Sequence, residues 1–286
     1  MKSDPIIKWS GSKRSQASEI VKRFPREIET YYEPFCGGCS VLYRLLQTPE
    51  IAIKRYVASD LNADLIALWK EIRDNPQRLM EEYATLWGTF NRHGLDMDDI
   101  ERRSEVFYTI RERVNKEHRP ADFLFIMRTA VNGMPRYNSK GEFNTSCHFS
   151  RPGIHPIRLN EICKGWSSLL KAKEVEFRCG SYEDVVPKEG DFAYLDPPYQ
   201  GTKGMYYGAL EMPRFWEWLR NLQCGWALSF DGRTDKEDLT ADVPKGLYVV
   251  HEYLKSGNSS FRRVTGKDRH ANVEESLYLG GSSFRR

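Results

Sequence analysis

Asp196-Pro197-Pro198-Tyr199 places a carboxylate, two prolines and an aromatic ring directly after an apolar, strand-like run, Phe192-Ala193-Tyr194-Leu195. A Gly-containing loop, Gln200-Gly201-Thr202-Lys203-Gly204, follows. In open α/β sheets, ligands bind where strands pass into such loops. These residue types suit the activation of an exocyclic amino group on a flat base. The Asp196 carboxylate accepts one amino N–H and the Pro197 carbonyl the other, and the prolines bring no competing N–H. Their fixed φ, and the extended bias on the residue before each, stiffen the turn. Tyr199 stacks on the base. With both protons held, the nitrogen lone pair is freed to attack an electrophile. For the tetrapeptide alone, a rigid turn with a buried tyrosine is an equal alternative.

Three further segments carry groups that suit a nucleotide-like ligand. Glu33-Pro34-Phe35-Cys36-Gly37-Gly38-Cys39-Ser40 separates Tyr31-Tyr32 from a helix start at Val41-Leu42-Tyr43-Arg44. Glycines there let backbone approach a ligand beside the positive end of a helix. Asp60 follows the apolar Tyr56-Val57-Ala58, roughly 20 residues past the glycines, the spacing at which nucleotide-type folds place a carboxylate on ribose hydroxyls. A helix N-cap is the alternative for Asp60, and the two roles are compatible. Near the N-terminus, Lys8-Trp9-Ser10-Gly11-Ser12-Lys13 offers a ring, a flexible backbone and a cation. Cys36-x-x-Cys39 lacks a second such pair, and Cys147, His148, His155 and Cys163 are irregularly spaced, so no metal site is expected.

The surrounding pattern alternates strands and helices on both sides of an interruption. Val57–Trp69 runs from a strand through Asp60 into a helix that Asn75-Pro76 stops. Residues 77 to 119 carry apolar side chains at helical spacing (Leu79, Tyr83, Leu86, then Val106, Phe107, Ile110, Val114), and Ala121–Ala130 reads as another helix. Residues 132 to 155 are punctuated by Gly133, Pro135, Gly141, Pro152 and Gly153 and read as loop. A helix over Ile157–Ala172, strands at Glu174–Cys179 and Asp191–Leu195, an amphipathic helix at Pro213–Leu222 and strands at Trp226–Phe230, Tyr248–Leu254 and Glu275–Leu279 complete the chain. Phe215, Trp216, Trp218 and Leu219 of the amphipathic helix are assigned to the core. The expected architecture is an α/β sheet with helices on both faces, formed by residues 1–74 and 156–286, and an inserted, mainly helical domain at 75–155.

Composition narrows the partners. Lys and Arg (43) nearly balance Asp and Glu (40), so bulk charge announces no polyanion. Distribution says more: Glu101–Arg158 holds eleven basic against six acidic residues, the footprint expected of phosphate contact. Mixed solvated helix charge explains part of it. No apolar run reaches the ~18 residues of a membrane span, and the first 30 residues lack a signal-peptide core. The scattered cysteines fit a reducing, cytoplasmic setting.

Five segments, in order, resemble the Dam-type (D12 class) DNA adenine-N6 methyltransferases. Lys8–Lys13 is similar to the family's K-W-x-G-x-K, and Glu33–Ser40 to its E-P-F-x-G-x-G-S with Cys39 in place of the last Gly. Ser59-Asp60-Leu61-Asn62-Ala63-Asp64-Leu65 resembles D-x-N-x-D-L. Asn132-Gly133-Met134-Pro135-Arg136-Tyr137-Asn138 with Gly141-Glu142-Phe143-Asn144 resembles N-G-x-x-R-Y-N…G-x-F-N, and Asp196–Tyr199 matches without change. The resemblance implies a Rossmann-like methyltransferase sheet, S-adenosyl-L-methionine as methyl donor and double-stranded DNA as partner, with 75–155 as target-recognition domain. It implies catalytic roles for Asp196, Pro197 and Tyr199. Cofactor contacts are expected from Trp9, Lys13, Phe35, Gly37, Asp60, Ser181, Tyr182 and Asp196. Ser181 stands where the family usually carries an Asp for the cofactor adenine.

On the DNA side, Arg136 is the leading base-reader through a bidentate contact to guanine, with a phosphate clamp as the rival role. Asn132, Tyr137 and Asn138 support it, and Arg128 and Lys140 are assigned to phosphate. The stretch Ser256–Arg263 with Lys267 and Arg269 reads as a basic loop over DNA or as plain surface loop. The implied target is a short site, GATC or related, from which the adenine is flipped. Cytosine N4 and RNA adenine present the same kind of amino group and remain rival acceptors. A DNA-binding protein without catalysis is the rival of another class.

Overall fold

In the computed structural model, residues 5–92, 97–133, 135–148, 150–198, 210–235, 237–256 and 273–284 are described. They form two compact units: residues 5–10 with Asn62–Ala172, and residues 11–61 with the described residues from 173 onward. The second unit is built on seven strands: β1 (Glu27–Glu33), β2 (Ala52–Asp60), β3 (Glu176–Cys179), β4 (Phe192–Leu195), β5 (Gly225–Thr234), β6 (Tyr248–Ser256) and β7 (Val273–Gly281). Their order is β3-β2-β1-β4-β5-β7-β6. The first five run parallel, and β7 is antiparallel to both its neighbours. All four residues of β4 are buried, as expected of a central parallel strand covered on both faces. This is the expected methyltransferase-type sheet. Strand order reverses between β1 and β4, and ligands of such sheets bind outside the carboxyl ends of the strands at that switch.

Helices α1 (Ala17–Val21), α2 (Ser40–Leu46) and α8 (Met212–Asn221) belong to the sheet unit. Phe215 and Leu219 of α8 are buried beside Trp226, Leu228 and Phe230 of β5, with Trp216 and Trp218 partly buried against the same cluster. The core assignment of this aromatic stripe therefore holds. The short α1 was not anticipated; five residues are too few for a periodic signal.

The helical unit holds α3 (Ala63–Asp74), α4 (Pro76–Phe90), α5 (Met97–Glu117), α6 (Pro120–Thr129) and α7 (Pro156–Ala172). Every residue of α6 from Ala121 to Thr129 is buried, which makes it the central helix of the unit. Its buried Asp122 is held by Arg113 through two bonds of 2.5 and 2.6 Å. Trp69 of α3 and Trp166 of α7 pack with ring centroids 4.8 Å apart. These contacts make the unit wider than the 75–155 segment. Pro76 occupies the first turn of α4, where its missing N–H costs nothing, so Asn75-Pro76 ends one helix and begins the next without dividing domains.

Candidate active site

Four parallel strands deliver the motif residues to one edge of the sheet. Asp60 is the last residue of β2 and Ser181 lies two residues past β3. Pro34, Phe35 and Gly37 follow β1, and Asp196, Pro197 and Pro198 follow β4. Neighbouring parallel strands end on the same side, so segments distant in sequence converge.

The loop after β1 is shaped by backbone. Gly37 (φ 44°) and Cys39 (φ 51°) both take left-handed conformations. Cys39 thus occupies a position that favours glycine, at a cost of roughly 1–2 kcal/mol, and it immediately precedes α2. The Gly37 N–H donates to Asp60 Oδ2 at 3.1 Å, and the Gly180 N–H donates to the Asp60 carbonyl at 3.1 Å. Asp60 therefore ties the loops after β1 and β3 together. Asn62, not Asp60, caps α3, accepting from the Leu65 N–H at 3.0 Å. The thiols of Cys36 and Cys39 are buried, and burial pushes Cys39 up to about 11, away from the reactive thiolate form.

Ser181 caps the short 3-10 turn Tyr182–Asp184. Its hydroxyl accepts from the Glu183 N–H at 3.3 Å, and its N–H donates to Asp184 Oδ2 at 2.7 Å. Phe35 and Tyr182 lie with ring centroids 5.5 Å apart and planes 28° apart. A half-buried ring, backbone N–H groups, a carboxylate and a capping hydroxyl at adjoining strand ends fit the base, ribose and chain of an adenosine cofactor.

The Asp196 carboxylate is gripped from the N-terminal segment. Lys13 Nζ lies 2.8 Å from Asp196 Oδ1 and 3.5 Å from Glu275 Oε2 of β7, and it donates to the Gly11 carbonyl at 3.1 Å. The Lys13 side chain is 3% exposed and that of Asp196 19%. Burial by itself would lower the lysine, but the charges of Asp196 and then Glu275 hold it raised above the ordinary value. Glu33 closes the cluster. Burial, opposed by a hydrogen bond from the Tyr31 hydroxyl (2.6 Å) and reinforced by the Asp196 charge, pushes its carboxyl up to about 8. Glu33 therefore holds its proton more tightly than an ordinary carboxyl. Neither Glu33 nor Glu275 was singled out from sequence. Glu33 heads a motif whose glycines drew the attention, and Glu275 stands 262 residues from Lys13 with no local signal. Tyr199 lies outside the described residues.

The candidate DNA-contacting residues belong to the helical unit, as does Trp9, which is half-buried there. Arg136 and Lys140 are exposed. The main chain at Arg136 is fixed on both sides: its N–H donates to Thr145 Oγ1 at 3.0 Å and its carbonyl accepts from Asn144 at 2.8 Å. Tyr137 OH accepts from Asn62 Nδ2 at 2.6 Å, and its ring meets Phe143 edge-on. Asn138 holds the turn beneath them, its Oδ1 accepting from the Lys140 and Glu142 N–H groups, both at 2.9 Å. The side chain of Asn132 and the stretch 257–272, with Lys267 and Arg269, lie outside what is described. Arg128 departs from its phosphate assignment. It is 7% exposed, and its guanidinium donates to the carbonyls of Ile6 (2.8 Å) and Pro5. A cation spent on fixing residues 5 and 6 within the core is not presented to a polyanion.

No helix among the described residues is long and apolar enough to cross a membrane. A sequence model of the D12 class N6 adenine-specific DNA methyltransferases matches residues 9–218. The type II methyltransferase M.MjaIII of Methanocaldococcus jannaschii is 36% identical over 215 residues, 70% of either chain. The DNA adenine methylase of Escherichia coli K12 is 29% identical over 205 residues, 69% of this chain and 66% of that one. The Retron Ec67 DNA adenine methylase of E. coli is 28% identical over 211 residues, 71% of this chain and 66% of its own. A solved rRNA methyltransferase, AviRa of Streptomyces viridochromogenes, overlaps at a TM-score of 0.39 with 14% identity, covering 98% of this chain and 86% of that one, too distant a likeness to carry an argument. With the sheet order, the strand-end motifs and a family match over most of its length, the chain belongs to the D12 class N6 adenine-specific DNA methyltransferases.

Proposed function

We propose that the chain methylates adenine N6 within a short site in double-stranded DNA, GATC or a relative of it, after flipping the base out of the duplex. The observation that carries this reading is the fixed Asp196 carboxylate at the end of β4, one oxygen held by the buried Lys13 at 2.8 Å. A carboxylate so placed accepts an N–H from a base amino group without first reorganising. The Pro197 carbonyl accepts the second N–H and Tyr199 stacks on the ring. S-adenosylmethionine, when bound, supplies a methyl group on a sulfonium. Phe35, Gly37, Asp60, Ser181 and Tyr182 would hold it, with Lys13 as a further contact. Holding two reactants in line supplies much of the rate. Extrusion of the base costs a few kcal/mol of stacking and pairing, offset by contacts from the helical unit, where Arg136 reads a base edge and Lys140 grips phosphate.

The test is mass spectrometry of nucleosides from duplex DNA incubated with the protein and methyl-labelled S-adenosylmethionine. Label on N6-methyl-2′-deoxyadenosine is expected. Label on N4-methyl-2′-deoxycytidine, label on N6-methyladenosine only when RNA is offered in a parallel incubation, or DNA binding without any transfer would each replace this reading with one of its rivals.

The capping serine gives a separate prediction. Ser181 offers the cofactor a neutral group where relatives of the resembled pattern carry a charge. Hydrogen bonds to charged groups contribute ~1.5–3 kcal/mol against ~0.5–1.5 for neutral ones. Ser181→Asp is therefore expected to tighten S-adenosylmethionine binding by about 1 kcal/mol, roughly fivefold. Asp is as good an N-cap as Ser, so the turn survives the change. Calorimetry returning equal or weaker binding would assign the adenine contact to another residue of the turn.

A further inference from the structure

We propose that Glu275, on β7, is a positioning residue for catalysis: it shares the buried Lys13 ammonium with Asp196 and so keeps the Asp196 carboxylate aimed and its oxygens incompletely neutralised. This rests on the methyltransferase reading of Asp196. Glu275 lies beyond the residues matched by the family model, 9–218, and 79 residues after Asp196 in the chain.

The geometry is that of one cation between two carboxylates. Lys13 Nζ has hydrogen-bond distances to Asp196 Oδ1 (2.8 Å) and the Gly11 carbonyl (3.1 Å), and an ion-pair distance to Glu275 Oε2 (3.5 Å). Two carboxylates, Asp196 and Glu275, therefore share one ammonium. A buried lysine paired to Asp196 alone would neutralise the very oxygen atoms that must accept the amino protons. A second carboxylate draws part of that positive charge away and fixes the direction of the ammonium.

The segment that bears Lys13 is also fastened to this edge of the sheet independently. Gln16 Nε2 donates to the Leu254 carbonyl of β6 at 3.1 Å, both groups being buried, and Leu254 is the register partner of Glu275. Strand β6 thus holds Gln16 through the Leu254 carbonyl, and β7 holds Lys13 through the Glu275 carboxylate, at paired positions. A glutamate serving only stability would not need to share the cation of the catalytic carboxylate.

The experiment compares wild type, Glu275→Asp and Glu275→Gln in steady-state methyl transfer to DNA lacking adenine methylation. Glu275→Gln is expected to lower kcat by about 10–100-fold, the range for a slight misplacement of a reacting group, with KM for S-adenosylmethionine and for DNA changed less than about threefold. Glu275→Asp, which keeps the charge one methylene farther away, is expected to fall between the two. Equal kcat in all three proteins, or a rise in KM with kcat unchanged, would overturn the proposal. A double-mutant cycle on unfolding, with Lys13→Met and Glu275→Gln, reads the same pair without turnover. Non-additive losses are expected, and additive losses would remove Glu275 from the cluster. Absence of methyl transfer by wild type would instead refute the reading of Asp196, and the cycle would still report on the pair.

Discussion

Asp196→Ala is expected to lower the single-turnover rate of methyl transfer by at least ~10³-fold, the upper range for removing one preorganised polar group from a site of charge development. In the proposed mechanism two acceptors polarise the amino group, the Asp196 carboxylate and a proline carbonyl. The carbonyl is neutral, so the carboxylate carries most of the effect. Sequence reasoning places Asp196 at a strand end and expects the fold to be indifferent to its loss. The structure revises that second expectation. Asp196 is the nearest partner of a lysine that is 3% exposed, and removing one member of a buried pair typically costs ~3–5 kcal/mol. The loss here should be smaller, because Glu275 and the Gly11 carbonyl still face the ammonium. Asp196→Asn separates the two effects: it keeps the shape and loses the charge. Rates should fall for both variants, while urea denaturation should show a larger stability loss for Ala than for Asn. Turnover near that of wild type in either variant would sink the mechanism.

Arg136→Ala is expected to cost ~1–3 kcal/mol of discrimination at one base pair of the site and to relax specificity there. The structure strengthens the physical case for a reading role, since the main chain at Arg136 is bonded on both sides while its side chain is exposed. A fixed backbone beneath a free guanidinium suits a bidentate contact, which tolerates little misplacement. Lys140→Ala is the internal control. It should weaken binding to all sequences alike and reduce the salt slope by about one charge. Methylation rates on a panel of duplexes varied at each position around the target adenine, at two salt concentrations, distinguish the two behaviours. A uniform loss for Arg136→Ala, with site preference intact, would reassign it to phosphate and leave Asn132, Tyr137 and Asn138 as the reading candidates. Of these, Asn138 is the weakest, because its side chain is already committed to the turn.

The Arg128 assignment shows why a basic residue in a basic segment is a poor guide to phosphate. Charge counted along the chain is blind to burial. In α6 the apolar residues are so dense that the whole helix is enclosed, and the arginine inside it is consumed by two main-chain carbonyls of the N-terminal segment. The extent of the helical unit is set by packing for a related reason. Asn75-Pro76 is a genuine helix stop, but a stop followed by a proline at the first position of a new helix is only a corner. Whether α3 and α7 side with the sheet or with the inserted helices depends on pairs such as Trp69 with Trp166, ninety-seven residues apart.

The local chemistry was determined by sequence. Asp196-Pro197-Pro198-Tyr199 after an apolar run, glycines ahead of a helix, and a carboxylate at the end of the next strand are short-range patterns, and each is dictated by backbone sterics or by the reach of one side chain. Strand and helix alternation is equally local, and with it the α/β class. Tertiary structure alone decided which charges meet. Lys13, Asp196 and Glu275 come from the N-terminal segment, the fourth strand and the seventh, and no periodicity links them. Their union follows from a strand order in which β7 enters antiparallel between β5 and β6. The tightened hold of Glu33 on its proton was likewise beyond the sequence, because it comes first from complete burial. Pattern reports what a residue is able to do; only the packed chain sets the dielectric and the neighbours that decide which form it takes.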